Sequence, residues 1–188
     1  SEFMLQQTQV STVIPYFQKF IKNIPDLETL ANFNDHKLVK IWEGLGYYSR
    51  VRNLKKTAQV VVKDFNKNLP SNFLELKSLP GIGDYTASAI SAIAFNKPFI
   101  PLDGNVERVL KRYLYLKKEN QITKENLHEE KKIFGLASRS ADYAQALMEL
   151  GALICKPNNP NCNFCPISEN CISFKKKDFV LNKIMRST

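Results

Sequence analysis

Apolar residues in this chain return every three or four positions and nowhere alternate in steps of two between hairpin turns, which points to an all-α architecture. Val10, Val13, Ile14, Phe17, Phe20 and Ile21 share one helical face, and Pro15 is predicted to kink that helix or end it early. Leu38, Ile41, Trp42 and Leu45 repeat the pattern after Asn34-Asp35, an N-cap signal. Val51, Leu54, Ala58, Val61, Val62 and Phe65 mark a third helix, and Ser71 is predicted to cap a short one ending near Leu79-Pro80. Further helices are predicted over 86–95, 106–116, 123–136 and 141–154.

A chain of 188 residues suits one domain or two small ones sharing a cleft. With 44% hydrophobic and 24% charged residues it has the make-up of a folded globular protein rather than a disordered one. Lys and Arg number 27 against 18 Asp and Glu, and the net charge of +9 favours a polyanionic partner. No charge-free stretch reaches the ~20 residues of a spanning helix. No basic region followed by an apolar run opens the chain, so neither a membrane span nor a signal peptide is expected. Lys175-Lys176-Lys177 open a basic tail, read as a solvated linker or frayed end.

The four cysteines, Cys155, Cys162, Cys165 and Cys171, fall in one window with spacings x6, x2 and x5. Clustering of this kind favours metal ligation over a disulfide framework spread through the fold. Four soft thiolates suit zinc or an iron–sulfur cluster, and the spacing alone leaves both open.

Leu79-Pro80-Gly81-Ile82-Gly83 lies between two helical patterns. Such a turn has two readings. One is a simple helix–helix connection. The other is an anion site, where unpaired N–H groups at a helix start meet a DNA phosphate and Ile82 anchors the hairpin.

Together with Leu102-Asp103-Gly104-Asn105-Val106 about twenty residues on and the four-cysteine window, this hairpin resembles the helix–hairpin–helix DNA glycosylases that carry a [4Fe–4S] cluster. Three further stretches are similar to MutY-type adenine glycosylases: Ser1 to Val10, Gly44-Leu45-Gly46-Tyr47-Tyr48-Ser49-Arg50 with Arg52-Asn53-Leu54, and Ala146-Leu147-Met148-Glu149-Leu150-Gly151-Ala152. Phe3 departs from the aliphatic residue of the family motif. The resemblance runs to about Cys171 and implies a two-lobed endonuclease III-like fold. A helical barrel lobe with the hairpin would cover 1–103, a lobe with a [4Fe–4S] cluster on Cys155, Cys162, Cys165 and Cys171 would cover 104–175, and 176–188 would be the tail.

The implied activity is removal of adenine opposite 8-oxoguanine or G in double-stranded DNA, by a monomeric protein of bacterial type in the cytoplasm or nucleoid. Glu2 would be the general acid that protonates adenine and later handles the water proton, and Asp103 the carboxylate that meets the oxocarbenium-like sugar as electrostatic partner or transient nucleophile. Asp103 is also a good N-cap, and both roles can hold together. Tyr85 stands where lyase relatives place a Schiff-base Lys; a phenol forms no imine, so a monofunctional glycosylase without efficient lyase activity is implied.

Gly81, Ile82 and Gly83 would meet DNA, Tyr47 would wedge into the stack, and Gln7, Thr8 and Leu45 would sit near the opposing base. Arg50, with Arg52 and Lys55, would touch phosphates, although solvated helix charges look the same in sequence. Gln145 is either the residue that reads adenine's edge or an ordinary solvent-facing helical Gln. His36 and His128 are given no role. The alternatives are a related glycosylase for mismatched thymine or oxidised pyrimidines, and a DNA-binding fragment without catalysis. The chain is expected to lack the family's N-terminal segment and its Nudix-like C-terminal domain.

Overall fold

The computed structural model of the chain describes residues 1–116 and 138–179. The helix predicted over 123–136, His128, and the tail beyond 179 lie outside the described residues. The described elements are α1 (Glu2–Leu5), α2 (Val10–Asn23), α3 (Leu27–Asn32), α4 (Asp35–Trp42), α5 (Ser49–Asp64), α6 (Phe73–Ser78), α7 (Asp84–Ile93), α8 (Gly104–Leu114), α9 (Ser140–Glu149) and α10 (Ile172–Lys175). No strand occurs among the described residues, so the all-α expectation holds. No helix among them is long and apolar enough to cross a membrane. The chain divides into two compact units, Ser1–Ile90 and Ser91–Thr188.

In the first unit α3 packs on α5, and α2 packs on α4 and α1. Trp42, Leu38, Leu30, Val51, Ala58 and Val61 form the buried interior. Phe20 meets Trp42 edge to face with ring centroids 6.3 Å apart. Short polar side chains set the helix starts by accepting N–H groups that have no partner inside the helix. Asp26 accepts from Thr29 at 2.7 Å and Asn34 from Lys37 at 3.1 Å.

Three local expectations are corrected. Pro15 does not end α2, which continues to Asn23. It sits in the second turn, where the missing N–H removes one intrahelical bond. Only part of the expected α2 face is buried: Val13 and Phe20 are inside, whereas Val10, Ile14 and Ile21 are exposed. The cap of α6 is Asn72 rather than Ser71, because the Asn72 side-chain oxygen reaches the N–H groups of both Leu74 (2.8 Å) and Glu75 (3.3 Å).

In the second unit Val106, Val109 and Leu110 of α8 pack on Leu147 of α9 and on Leu150, with Cys155, Cys165 and Ile167 against the same core. α9 runs directly into one wider π-type turn, Leu150–Ile154, so the helix expected over 141–154 is present with a change of pitch at its end. The cysteine window then folds as short 3₁₀ turns, Cys162–Phe164 and Ser168–Asn170, before α10.

Candidate functional site

The hairpin joins α6 to α7, and its two glycines differ. Gly81 adopts φ +78, and a Cβ there would lie 2.7 Å from Asn53 Cβ and 2.9 Å from Phe3 Cε1. Only glycine permits both the positive φ and the contact. Gly83 has open space around its Cα. Both glycines are exposed, while Ile82 is buried and anchors the turn from inside. Thr57 of α5 donates its hydroxyl to the Pro80 carbonyl at 2.7 Å. Ile82 therefore holds the hairpin, and what it offers a ligand is its backbone.

α1 is a single helical turn seated on this hairpin. Phe3 and Met4 are buried. Gln6, just beyond the helix, donates from Nε2 to the Gly81 carbonyl at 3.3 Å. Glu2 heads the turn. Its Oε2 is buried with no hydrogen-bond partner. Burial raises the carboxyl above its ordinary range, against a smaller pull downward from Ser1. A half-buried carboxyl whose hold on its proton is strengthened is suited to work as a general acid. Tyr85, in the first turn of α7, is half-buried.

The loop 44–48 presents Tyr47 to solvent, 62% exposed, with φ +46. Gln7 is also exposed, at φ +56. Two residues expected to meet DNA are instead interior. Leu45 is buried. Arg50, expected on a phosphate, is 5% exposed, and its guanidinium donates to the carbonyls of Met4, Gln6, Leu45 and Gly46. The backbone of two neighbouring segments claims it before any external anion could. Thr8 accepts from Arg50 at 2.9 Å. Arg52 is exposed, whereas Lys55 donates to the Phe33 carbonyl at 2.7 Å and pairs with Asp35.

In the second unit Asp103 caps α8. Its Oδ1 accepts from the N–H of Asn105 (2.9 Å) and of Val106 (2.7 Å), and Oδ2 accepts from Asn105 Nδ2 at 3.2 Å. The helix start thus fixes a half-buried carboxylate. Arg108, one turn on, donates to Asn105 Oδ1 (2.9 Å), to the Gly151 carbonyl (2.6 Å) and to the Cys155 carbonyl (2.7 Å). The sequence reading missed Arg108; an Arg one turn into a capped helix was its only signal. Gln145 is exposed on α9 and donates to the Ala141 carbonyl of its own helix at 3.1 Å.

All four cysteines are free thiols lining one pocket with Val109, Arg112, Leu150 and Phe174. Arg112 brackets the loop by donating to the carbonyls of Lys156 (2.6 Å) and Pro157 (2.8 Å). Burial pushes the Cys162 and Cys165 thiols up, and the neighbouring cysteines add to it. Four cysteines lining one pocket can, as thiolates, hold a positive centre, and this donor set suits an iron–sulfur cluster or zinc. Among the described residues no group of three or more His, Cys, Asp or Glu is arranged to hold a single metal ion.

The family model for HhH-GPD superfamily base excision DNA repair proteins matches residues 1–133. The adenine DNA glycosylase of Buchnera aphidicola subsp. Baizongia pistaciae (strain Bp) is 43% identical over 183 residues, covering 97% of this chain and 52% of that protein. The adenine DNA glycosylase of Homo sapiens is 40% identical over 178 residues, covering 91% of this chain and 32% of that protein. The chain thus spans about half or less of the length of these relatives. A solved thermostable thymine-DNA glycosylase superposes at TM-score 0.81 with 27% identity, over 93% of this chain and 82% of the other. An endonuclease III in a non-covalent DNA complex superposes at TM-score 0.75 with 23% identity, over 94% and 82%, a likeness of fold. A hairpin shaped by Gly81, a capped Asp103 and a match through residue 133 agree: the chain belongs to the HhH-GPD superfamily of base excision DNA repair proteins.

Proposed function

We propose that the protein is an adenine DNA glycosylase that hydrolyses the N-glycosidic bond of adenine opposite 8-oxoguanine or G in duplex DNA. The observation that carries this reading is the Glu2 carboxyl, half-buried with one oxygen unpartnered, on the helix seated against the hairpin. The relatives named adenine DNA glycosylase support the substrate.

Breaking the bond asks for a proton on the leaving base and negative charge near the sugar. Glu2 supplies the proton to adenine N7, and the C–N electron pair leaves with the base. Asp103 faces the sugar as a carboxylate, stabilising the oxocarbenium character while water adds at the anomeric carbon and gives its proton to the Glu2 carboxylate left by the first transfer. Tyr85 orients the site and forms no imine, so the product is an abasic site with an intact strand. The exposed glycines of the hairpin take a phosphate on backbone N–H groups. Tyr47 wedges into the stack beside Gln7 and Thr8, and Gln145 reads the base edge. In this reading 1–103 and 104–175 are the functional lobes, followed by a basic tail over 176–188.

Cys155, Cys162, Cys165 and Cys171 would hold a [4Fe–4S] cluster, which when bound cross-links a loop that has little regular structure of its own. The protein acts as an intracellular monomer on double-stranded DNA, as the net charge of +9 favours.

The test is base release by the full-length protein from labelled duplexes carrying A:8-oxoG, A:G or T:G. Cleavable abasic sites from the adenine duplexes alone are expected. Release from T:G alone favours thymine chemistry, the second reading that the solved thymine-DNA glycosylase supports. Retention of duplex with no release from any of them identifies a binding module.

A further inference from the structure

We propose that Arg50 is a positioning residue that holds two strained surface residues, Gln7 and Tyr47, together with the helical turn that carries Glu2. What those residues do rests on the base-release reading; how they are held rests on geometry. Arg50 opens α5 and points inward. Its Nη1 donates to the carbonyls of Met4 (2.7 Å) and Gln6 (2.5 Å) and to Thr8 Oγ1 (2.9 Å), and its Nη2 to the carbonyls of Leu45 (3.0 Å) and Gly46 (3.2 Å). All of these acceptors are neutral oxygens.

Two of the carbonyls have a particular place in the chain. Gln6 and Gly46 immediately precede Gln7 and Tyr47, whose φ angles are +56 and +46. A residue with a side chain is strained in such a conformation and keeps it only where its surroundings enforce it. Arg50 fixes the peptide before each. The Tyr47 ring lies 5.4 Å from the guanidinium carbon and the Trp42 ring 5.6 Å, and Trp42 Nε1 adds a bond to the Gly46 carbonyl at 3.0 Å.

The same side chain seats α1. A single turn is too short to persist by itself. Arg50 satisfies its C-terminal carbonyls and places positive charge at the favourable end. Phe3 meets Gly81, and Gln6 reaches both the Gly81 carbonyl and Thr86 Oγ1. One planar fork therefore joins the Glu2 turn, the Gln7 turn and the Tyr47 loop. Lysine has a single nitrogen and cannot span them.

The test compares the full-length protein with its Arg50→Lys and Arg50→Met variants. Amide hydrogen exchange, read by peptide mass spectrometry, is expected to accelerate about 10- to 100-fold over 2–8 and 44–48, the loss of one or two charge-assisted hydrogen bonds. Protection of α3 and the rest of α5 is expected to stay at the wild-type level. Single-turnover release of adenine opposite 8-oxoguanine is expected to fall by a similar factor in Arg50→Lys. A 2-aminopurine beside the target base is expected to lose the fluorescence rise that Tyr47 insertion gives.

Unchanged exchange in the two segments overturns the proposal, as does a general rise across α3 and α5, which marks plain destabilisation. Faster exchange in both segments with wild-type base release also overturns it. If the wild-type protein releases no base from any duplex, the base-release reading fails. The exchange pattern then decides the structural proposal alone.

Discussion

Gly151 lies against Asn105 so closely that a Cβ on it would sit 2.7 Å from the Asn105 Cβ and 2.9 Å from that residue's carbonyl carbon and oxygen. None of these atoms is the free end of a side chain. Gly151→Ala must therefore move the start of α8 or open the turn after α9. A cost of about 1–3 kcal/mol is expected, the usual range for overpacking. It should appear as a lower urea midpoint at unchanged slope. Because Asn105 gives both its N–H and its side-chain amide to Asp103, base release is expected to suffer beyond the lost stability.

Arg108→Met leaves the Gly151 and Cys155 carbonyls without their donor. Each unsatisfied group costs about 1–3 kcal/mol when buried. Cys155 is the first thiol of the proposed cluster set, so its backbone is expected to loosen. The prediction is a lower iron-to-protein ratio and weaker visible absorbance after purification. Arg108→Lys, which can keep one of the two bonds, is expected to retain more iron than Arg108→Met.

Asp103 performs a structural task and a proposed chemical one, and two substitutions separate them. Asn is as good an N-cap as Asp, so Asp103→Asn is expected to hold stability within about 0.5 kcal/mol while base release collapses. Asp103→Ala loses the bonds to Asn105 and Val106 and is expected to cost about 0.5–2 kcal/mol as well. Thermal denaturation beside single-turnover assays checks both. Equal activity in wild type and Asp103→Asn would reduce this carboxylate to a cap.

What could be read in the sequence was local. Asn34 lies next to the helix it caps, and α5, α7 and α8 follow from apolar spacing within their own lengths. The Gly81 turn was legible because its glycine spacing announced it. The burial of Arg50 could not be read for the opposite reason. Beside a glycine-rich loop a lone Arg looks like a phosphate contact, and its burial depends on acceptors at Met4 and Gln6, far away in the chain. The burial of Leu45 was hidden with it, since Arg50 also fixes that loop. The need for Gly151 comes from α8, which no pattern around position 151 reveals.

Glu2 ties folding and chemistry to one titration. Burial raises its carboxyl in the folded protein, so the folded state holds a proton that the unfolded chain would release. Stability from this group is complete below the ordinary carboxylate range and is lost as pH rises through the raised folded value. A general acid is active in the same protonated form, so single-turnover base release should fall across the same window. Glu2→Gln keeps the shape and removes the titration. Its urea midpoint is expected to lack the decline with rising pH that this carboxyl gives the wild type, and its base release to drop about 10²- to 10⁴-fold, the usual contribution of a positioned acid. Because one variant is predicted to lose this part of the pH dependence of folding and the chemistry together, a general loss of stability cannot imitate it. A Glu2→Gln variant that keeps the wild-type rate, or whose midpoint declines as wild type does, would remove this residue from the mechanism.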